Sequence, residues 1–489
     1  MIKKLHHGFL ASSLIVFFSY GSEIPSENAQ PVEYKEKVQV IEDGEKNPLI
    51  ELMGKNQPIE NLIENVRLKK HSILIFINES FKNKWLYSNF FVSYERDINL
   101  KKIPYTIAIL PFILSVYPVI WISGQNYSID SMDEDVFYSL EKIKKVLQRL
   151  YPKTPLTGNL IPKKLVKNRP TVPLMDKDKH VAILFSSGLD SVACSFEHMD
   201  KKQLLITTRG QDDLPLRAGN VWKLRKENII KYAQNYGHKN AFITANHSEF
   251  LNWSVLNHVS PEIATWKFDT TEGVGLFGLA APILYTKGYP LLLIGSTYTW
   301  NYQFPSAANP LVDNNLKVAS SICLNHEHFN ATRFDKIKLI VDAVKEKALT
   351  IPRLRVCDYH ILEENCCMHC AKCQTAMNAL VVLGEDPVPY GFNVTPEEVK
   401  ERTKKYFANG QGRWTCWCFC DMQKKLRLMK NIPQSVKWML KFNFMRKVSD
   451  GMTGAKKRVN WQDFKDLAPE SLEIPVLAPG SYCDAKKRR

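Results

Sequence analysis

The strongest constraint on the fold is the alternation of short apolar runs with helical patterns in the middle of the chain. The runs are apolar at consecutive positions and lie at residues 180–185, 204–208, 241–245 and 291–294. Strands of this kind are buried on both faces, which is typical of a parallel sheet. Helical patterns lie between them at residues 190–199, 221–236 and 273–287. The sequence therefore predicts an α/β fold in which helices cover both faces of a parallel sheet.

Changes in composition predict how the remaining chain is organised. Five prolines fall between residues 152 and 173, which is typical of a linker between domains. Before it, residues 72–77 have the pattern of a buried strand and residues 133–150 that of a helix. The predicted organisation is a signal-like or disordered N-terminus (1–30), a separate N-terminal α/β domain of unassigned role (31–152), a proline-rich linker (153–177), a phosphate-binding domain (178–395) and a basic C-terminal extension (396–489).

The net charge of the chain is +16, and most of it lies near the C-terminus. Residues 400–489 contain 21 Lys and Arg against 8 Asp and Glu, a difference of +13. Such a region binds nucleic acid, an acidic partner or a membrane surface, or it is a solvated basic face. Trp414, Trp417, Trp438 and Phe442 lie in the same region. Their rings would stack on unpaired RNA bases or form a small core, and both alternatives stay open here.

Two apolar segments bear on membrane insertion and export. Lys3 and Lys4 precede a run at residues 9–18, which outlines a signal peptide but lacks a clear cleavage motif. That run is too short to span a bilayer. A second run, at residues 105–122, contains Pro111 and Pro118 and is interpreted as protein core. We therefore expect no stable membrane span and a cytoplasmic protein.

The segment at residues 185–191 (Phe-Ser-Ser-Gly-Leu-Asp-Ser) joins the first predicted strand of the sheet to its first helix. Ligands of parallel sheets bind at the carboxyl ends of strands, and a helix N-terminus there offers N–H groups to phosphate. Gly188 permits close approach of an anion, and the serines add hydroxyl groups. A second glycine motif, Gly-x-Gly-x-x-Gly at residues 273–278, lacks a preceding strand. It predicts a closely packed helix and not a dinucleotide site.

The eleven cysteines are clustered, as is typical of metal ligation in a reducing compartment. Cys357, Cys367, Cys370 and Cys373 are the expected ligands of a closed Zn²⁺ site, with Cys366 as a substitute for Cys367. An iron–sulfur centre is the alternative. Residues 416–420 (Cys-Trp-Cys-Phe-Cys) would place three sulfurs on one side of an extended strand, and they stay unassigned.

These motifs resemble a known family. Residues 186–191 are similar to the Ser-Gly-Gly-x-Asp-Ser loop of PP-loop (N-type) ATP pyrophosphatases, with Ser187 at the position of the first glycine. The cysteine pattern is similar to that of 7-cyano-7-deazaguanine synthases, in which a lone cysteine precedes Cys-Gly-His-Cys-x-x-Cys. Here the segment reads Cys-Met-His-Cys-Ala-Lys-Cys, with Met368 in place of the glycine. The resemblance covers residues 178–385.

The resemblance implies a PP-loop domain that uses ATP and Mg²⁺ to adenylate a substrate carboxylate of the 7-deazaguanine type. Pyrophosphate is released, and an amide or nitrile is formed, as in queuosine biosynthesis. The implied ATP-binding residues are Ser186, Ser187, Gly188, Leu189, Asp190, Ser191 and Gly295. Asp190 and Lys336 are the implied catalytic residues, and the four cysteines would hold structural zinc.

Three further interpretations remain. Enlarged relatives of these synthases occur in bacterial anti-phage defence clusters, which would add protein partners in a complex. A tRNA-modifying PP-loop enzyme would use the basic extension to contact RNA. A nucleotide-binding interaction protein with little turnover is the third, because Ser187 departs from the family loop.

Overall fold

The computed structural model describes residues 59–170, 172–358, 365, 369–446, 448–449 and 458–477. The described residues belong to one compact unit. The predicted N-terminal segment 1–30 and the candidate ligands Cys366 and Cys367 lie outside the described residues.

The described ranges contain fourteen strands. In chain order they are β1 (Glu60–Asn61), β2 (Ile63–Leu68), β3 (Ser72–Ile77), β4 (Phe90–Tyr94), β5 (Asn126–Asp133), β6 (Asn159–Val166), β7 (His180–Leu184), β8 (Lys202–Arg209), β9 (Lys239–Ala245), β10 (Leu291–Gly295), β11 (Lys317–Val318), β12 (Ile322–Glu327), β13 (Gln411–Gly412) and β14 (Val448–Ser449).

The same ranges contain thirteen α-helices. In chain order they are α1 (Glu79–Trp85), α2 (Tyr105–Ala108), α3 (Leu110–Ser123), α4 (Glu134–Leu150), α5 (Leu189–Glu197), α6 (Gly219–Tyr236), α7 (Trp253–Leu256), α8 (Glu272–Lys287), α9 (Pro310–Asp313), α10 (Arg333–Glu346), α11 (Ala371–Val382), α12 (Pro396–Ala408) and α13 (Arg413–Leu428). Short 3₁₀ turns lie at Leu100–Lys102, Trp300–Tyr302, Gln434–Leu440 and Trp461–Leu467, and a π turn lies at Lys267–Thr271.

The main sheet has nine strands in the order β11-β12-β10-β7-β8-β9-β4-β3-β2. Its central strands β12, β10, β7, β8 and β9 are parallel, which confirms the predicted parallel sheet. Both faces are covered. Ala182 and Leu184 of β7 belong to one hydrophobic core, and Val181 and Ile183 belong to the other. Burial on both sides explains why these strands are apolar at consecutive positions.

The N-terminal region differs from the separate domain expected at residues 31–152. Strands β2, β3 and β4 extend the main sheet, because β4 pairs antiparallel with β9 through Val92 and Ala245. The segment expected as a linker contains β6, which pairs parallel with β5 in a second sheet of order β1-β5-β6. An apolar strand pattern shows that a strand is buried but does not identify the strand beside it, so the sequence left this pairing undetermined.

Helix α3 and helix α8 pack against each other in the hydrophobic core that contains Ala182 and Leu184. The interpretation of residues 105–122 as core is confirmed, since Phe112, Leu114 and Ile120 are fully buried. A Cβ atom on Gly278 would lie 2.8 Å from the Leu114 Cβ. This glycine of the Gly-x-Gly-x-x-Gly motif therefore allows close helix packing, as expected. Within the described ranges, no helix is both long and apolar enough to cross a membrane.

The C-terminal region packs onto the rest of the fold. Trp461 is buried against Trp300 and Phe329, with ring centroids 5.4 and 5.8 Å away. Residues 416–420, which the sequence left unassigned, lie on α13 and not on an extended strand. Residues two apart on a helix point to nearly opposite sides, so Cys416 and Cys418 enter different hydrophobic clusters.

Candidate phosphate-binding site and metal centre

The predicted phosphate loop lies at the carboxyl end of β7 and leads directly into α5. The direction in which strands are added to the sheet reverses here, since β8 flanks β7 on one side and β10 on the other. In open parallel sheets such a reversal leaves a crevice at the carboxyl ends of the strands, where ligands bind. The loop and the N-terminus of α5 therefore face the expected ligand position.

The backbone of the loop is held in a tight turn. Ser187 has a φ of 59°, in the left-handed region that favours glycine. Its carbonyl accepts a hydrogen bond of 2.8 Å from the backbone N–H of Arg355. Gly188 has an ordinary φ of −76° and begins α5 as its N-cap. The residue that departs from the family loop is therefore the one with the unfavourable backbone conformation.

Replacing Ser187 with glycine is expected to raise the free energy of unfolding by up to about 1 kcal/mol, because glycine adopts positive φ without a Cβ clash. Ser187→Val should lower it, since a β-branched residue is least tolerated there. Urea denaturation of both variants and the wild type measures the two differences. A Ser187→Gly variant less stable than Ser187→Val would contradict the strained conformation.

Gly295 ends β10 beneath the first turn of α5. A Cβ atom at this position would lie 2.3 Å from the Asp190 carbonyl oxygen and 2.6 Å from the Asp190 carbonyl carbon. Both neighbours are backbone atoms of a helix, so they cannot rotate away. Gly295 was expected to bind ATP, and its close approach to α5 gives it a packing role that brings β10 to the loop.

The Gly295→Ala variant is expected to lose about 1–3 kcal/mol of stability, because the added methyl group forces α5 and β10 apart. The matched control is Gly219→Ala at the start of α6, where an added Cβ would meet no atom within 4 Å. The control should be neutral or slightly stabilising. Thermal and urea unfolding of both variants tests the difference, and equal effects would show that no clash exists at Gly295.

The two residues expected to be catalytic, Asp190 and Lys336, are brought into contact. Lys336 Nζ lies 2.9 Å from Asp190 Oδ1, and the Lys336 side chain is fully buried. Arg333 NH1 lies 3.5 Å from Asp190 Oδ2, to which the Thr297 hydroxyl also donates a hydrogen bond of 3.2 Å. Lys336 Nζ also donates to the Ser296 carbonyl. Asp190 thus joins α5, α10 and the end of β10.

The charges of this group depend on one another. Burial raises the pKa of Asp190, but Lys336 and Arg333 more than offset it, so the pKa falls below its ordinary value. Burial lowers the pKa of Lys336, and Asp190 opposes this change. Both carboxylate oxygens of Asp190 are engaged by the neighbouring side chains. The geometry therefore favours Asp190 as the residue that positions two cations beside the loop.

A cavity of about 480 Å³ opens in front of the loop. Of the residues predicted to bind ATP, those that line it are Ser186, Gly188, Leu189, Asp190, Ser191 and Gly295. Ser187 and Lys336 are buried and do not line it. Arg333, Arg355 and Lys372 add positive charge to the wall. This wall is suited to phosphate groups, which bind arginine and lysine well.

The cavity continues past the end of β8 to a second group of charged residues. Lys267 Nζ lies 3.1 Å from Asp212 Oδ2 and 3.8 Å from Glu272 Oε2. Burial lowers the pKa of Lys267, but Glu272 and Asp212 raise it well above its ordinary value. Burial raises the pKa of Glu272. Gln211 lines the same cavity, so this part of it offers hydrogen-bond acceptors as well as the Lys267 ammonium group.

Three of the predicted metal ligands are brought together. The sulfurs of Cys357, Cys370 and Cys373 lie within 4.8 Å of one another and form a group that can hold a metal ion. Cys370 is the N-cap of α11, and its sulfur accepts hydrogen bonds from the backbone N–H groups of Asp358 and Cys373. Hydrogen bonding lowers the pKa of Cys370 to about 5, with Cys373 the largest cause. A thiolate with these donors is typical of metal ligation and is compatible with zinc.

The cysteine group and the predicted phosphate loop share the segment around Arg355. The Arg355 backbone N–H donates to Ser187, and its guanidinium donates to the Cys357 carbonyl. Lys372 lies between Cys370 and Cys373 in the sequence, and its Nζ is 3.0 Å from Asp358 Oδ1. Arg355 and Lys372 therefore both reach the cavity wall from the side of the cysteine group. The cysteine group therefore holds one wall of the cavity.

Sequence reasoning missed several residues of the cavity. Arg333 begins the helix that carries Lys336, and the three-residue spacing puts both on one face. Lys372 lies inside the cysteine motif. The positions of Arg333 and Lys372 next to predicted site residues could therefore have identified them from the sequence. Gln211 and Glu272 belong to no recognised motif in the sequence.

Neither the models of known protein families nor the curated proteins give a match to this sequence. An activity must therefore be argued from the residues of the site and their arrangement.

Proposed function

We propose that the protein binds ATP at residues 186–191 and adenylates a carboxylate substrate with release of pyrophosphate. The observation that carries this proposal is a serine-rich loop at the reversal point of a parallel sheet, with a partly buried Asp190 that holds Lys336 and Arg333 beside it. The loop presents N–H groups and hydroxyls to phosphate oxygens. The activity follows that of 7-cyano-7-deazaguanine synthase, and the substrate is a 7-deazaguanine-type acid.

In the proposed reaction, a carboxylate oxygen of the substrate attacks the α-phosphorus of ATP. The bond between that phosphorus and the α,β-bridging oxygen breaks, and the electron pair leaves with pyrophosphate. Arg333 and Lys372 lie on the cavity wall and would neutralise the leaving charge. The acyl adenylate then reacts with a nitrogen nucleophile and releases AMP. Positioning and charge neutralisation supply most of the rate in such transfers.

Mg²⁺ would neutralise phosphate charge in this scheme, as it does in other nucleotide sites. Asp190 is a poor direct ligand, since both of its oxygens contact cations or a hydroxyl. Zinc would be held by Cys357, Cys370 and Cys373, with Cys367 as the fourth ligand implied by the resemblance. Such a site is structural and supports the cavity wall.

The test is pyrophosphate release from ATP and Mg²⁺ by the purified full chain, with and without 7-carboxy-7-deazaguanine. We expect release that depends on the acid and that falls at least about tenfold in the Asp190→Asn variant, in which one buried contact to a cation is weakened. Asp342→Asn, an exposed carboxylate on the same side of α10 as Lys338, serves as the control. ATP binding without release under all conditions would favour the nucleotide-binding interaction protein.

The tRNA-modifying alternative receives less support from the described residues. Trp417 is buried beside Tyr302, and Phe442 packs against Phe407 and Phe444. These rings form cores instead of an open stacking surface. Trp414 is partly buried and has the Arg333 guanidinium over its ring at 5.7 Å. Salt-dependent RNA binding by the basic extension would revive this alternative. The cytoplasmic location and the defence role stay predictions.

A further inference from the structure

Gln211 is a buried amide whose side chain has no hydrogen-bond partner among the described residues. The residue is only 6% exposed, and neither its Oε1 nor its Nε2 atom is paired. It lines the cavity beyond the end of β8. Its backbone is fixed by a bridge to Leu214. A buried, unpaired amide costs free energy, which a ligand presenting both a donor and an acceptor would recover.

Glu272 supplies a second group without a hydrogen bond in the same part of the cavity. Its Oε2 atom is buried, has no hydrogen-bond partner, and lies 3.8 Å from Lys267 Nζ, beyond hydrogen-bond range. Thr208 adds a buried hydroxyl without a partner, at the end of β8. These groups share this part of the cavity with Lys267. Together they offer two acceptors, one amide donor and one hydroxyl.

We propose that Gln211 and Glu272 form a subsite for a planar heterocycle with a cyclic amide and an adjacent amino group. The ring carbonyl accepts a hydrogen bond from Gln211 Nε2, and the ring N–H donates to Gln211 Oε1. The amino group donates to Glu272. This inference rests on the proposed function, in which the ring belongs to the acid substrate while the phosphates of ATP occupy residues 186–191.

The adenine ring of ATP is a poorer match to these groups. Its amino group and the ring nitrogen beside it can satisfy the two atoms of a glutamine amide. No second donor follows on that edge, so a carboxylate beside it meets only a C–H group. A ring with one acceptor followed by two donors satisfies Gln211 and Glu272 together. Sites built from buried hydrogen-bonding groups reject a ligand that leaves one of them unpaired.

The test is calorimetric binding of three probes to the full chain. The probes are 7-carboxy-7-deazaguanine, the same acid without its 2-amino group, and 7-carboxy-7-deazaadenine. We expect the first to bind most tightly and the loss of the amino group to weaken binding about tenfold or more. Gln211→Leu should weaken the first probe by a similar factor, with the dissociation constant for ATP unchanged within about threefold.

Two further variants separate recognition from folding. Gln211→Glu keeps the shape of the side chain but removes its donor, so it should also weaken the first probe. Glu272→Gln should reduce the preference for the 2-amino group, an effect that a purely structural role would not produce. Melting temperatures identify variants that do not fold.

The outcomes are distinguishable. If Gln211→Leu weakens ATP as much as the first probe, adenine occupies the subsite and the proposal is wrong. Equal binding of all three probes, or no binding of any, would also overturn it. Selective, Gln211-dependent binding without pyrophosphate release would support the subsite and count against the proposed adenylation.

Discussion

The Lys336→Ala variant is expected to lose about 3–5 kcal/mol of folding stability, because it removes a fully buried cation and leaves the partly buried Asp190 carboxylate without its closest partner. The side chain of Lys336 is fully buried, and its Nζ lies 2.9 Å from Asp190. Arg333, at 3.5 Å, cannot replace that contact without moving. Asp190 anchors the loop at residues 186–191 to α10. Without this contact the loop should lose order as well, so the affinity for ATP should fall. Urea denaturation and binding of a fluorescent ATP analogue measure the two effects.

The matched control for this prediction is Lys338→Ala. Lys338 lies on the same helix and pairs with Asp342, but its side chain is 53% exposed. An exposed pair of this kind contributes about 0–1 kcal/mol. A double-mutant cycle of Lys336→Met with Asp190→Asn should give a coupling energy of about 1–3 kcal/mol. If Lys336→Ala were as mild as Lys338→Ala, or if the cycle gave no coupling, the ion pair would not be the link between α10 and the loop.

The central sheet could be predicted because each of its strands is buried on both faces. Residues 180–185, 204–208, 241–245 and 291–294 are apolar for that reason, and the observed strands β7 to β10 include nearly all of them. The loop position followed from the junction of β7 and α5. The pairing of β4 with β9 did not follow, since antiparallel neighbours far apart in the chain share no local signal.

The candidate site could be predicted only where spacing carries chemistry. Clustered cysteines predict a metal site, and the sulfurs of Cys357, Cys370 and Cys373 do lie within 4.8 Å of one another. Single residues such as Gln211, Glu272 and Arg333 have no spacing signal, and their role depends on which side chains surround them after folding. The Cys-x-Cys-x-Cys segment stayed unassigned for a related reason. Its spacing does not decide between a strand and a helix, and its aromatic neighbours settle the choice only through tertiary packing.

Replacing Cys370 with serine is expected to remove the bound metal and destabilise the fold by at least about 3 kcal/mol. Structural zinc contributes roughly 10–16 kcal/mol of apparent binding free energy in zinc-finger peptides, and that energy is also folding energy. Cys370 contacts the backbone of both Asp358 and Cys373 through its sulfur, so its loss opens the whole group. Zinc content by elemental analysis should fall from about one ion per chain to a small fraction. Thermal unfolding measures the loss of stability.

The effect should extend from the metal centre to the phosphate loop. Arg355 donates to the Cys357 carbonyl through its side chain and to Ser187 through its backbone, which joins the two sites. Hydrogen exchange at residues 186–191 should therefore speed up in Cys370→Ser at temperatures well below unfolding. Cys323→Ser, a partly exposed cysteine on β12, is the control and should keep both its metal and its exchange rates.

Iron and its visible absorption in the wild type would instead establish the iron–sulfur alternative. Full zinc content in Cys370→Ser would show that this cysteine is not a ligand, and unchanged loop exchange after zinc loss would show that Arg355 does not couple the two sites.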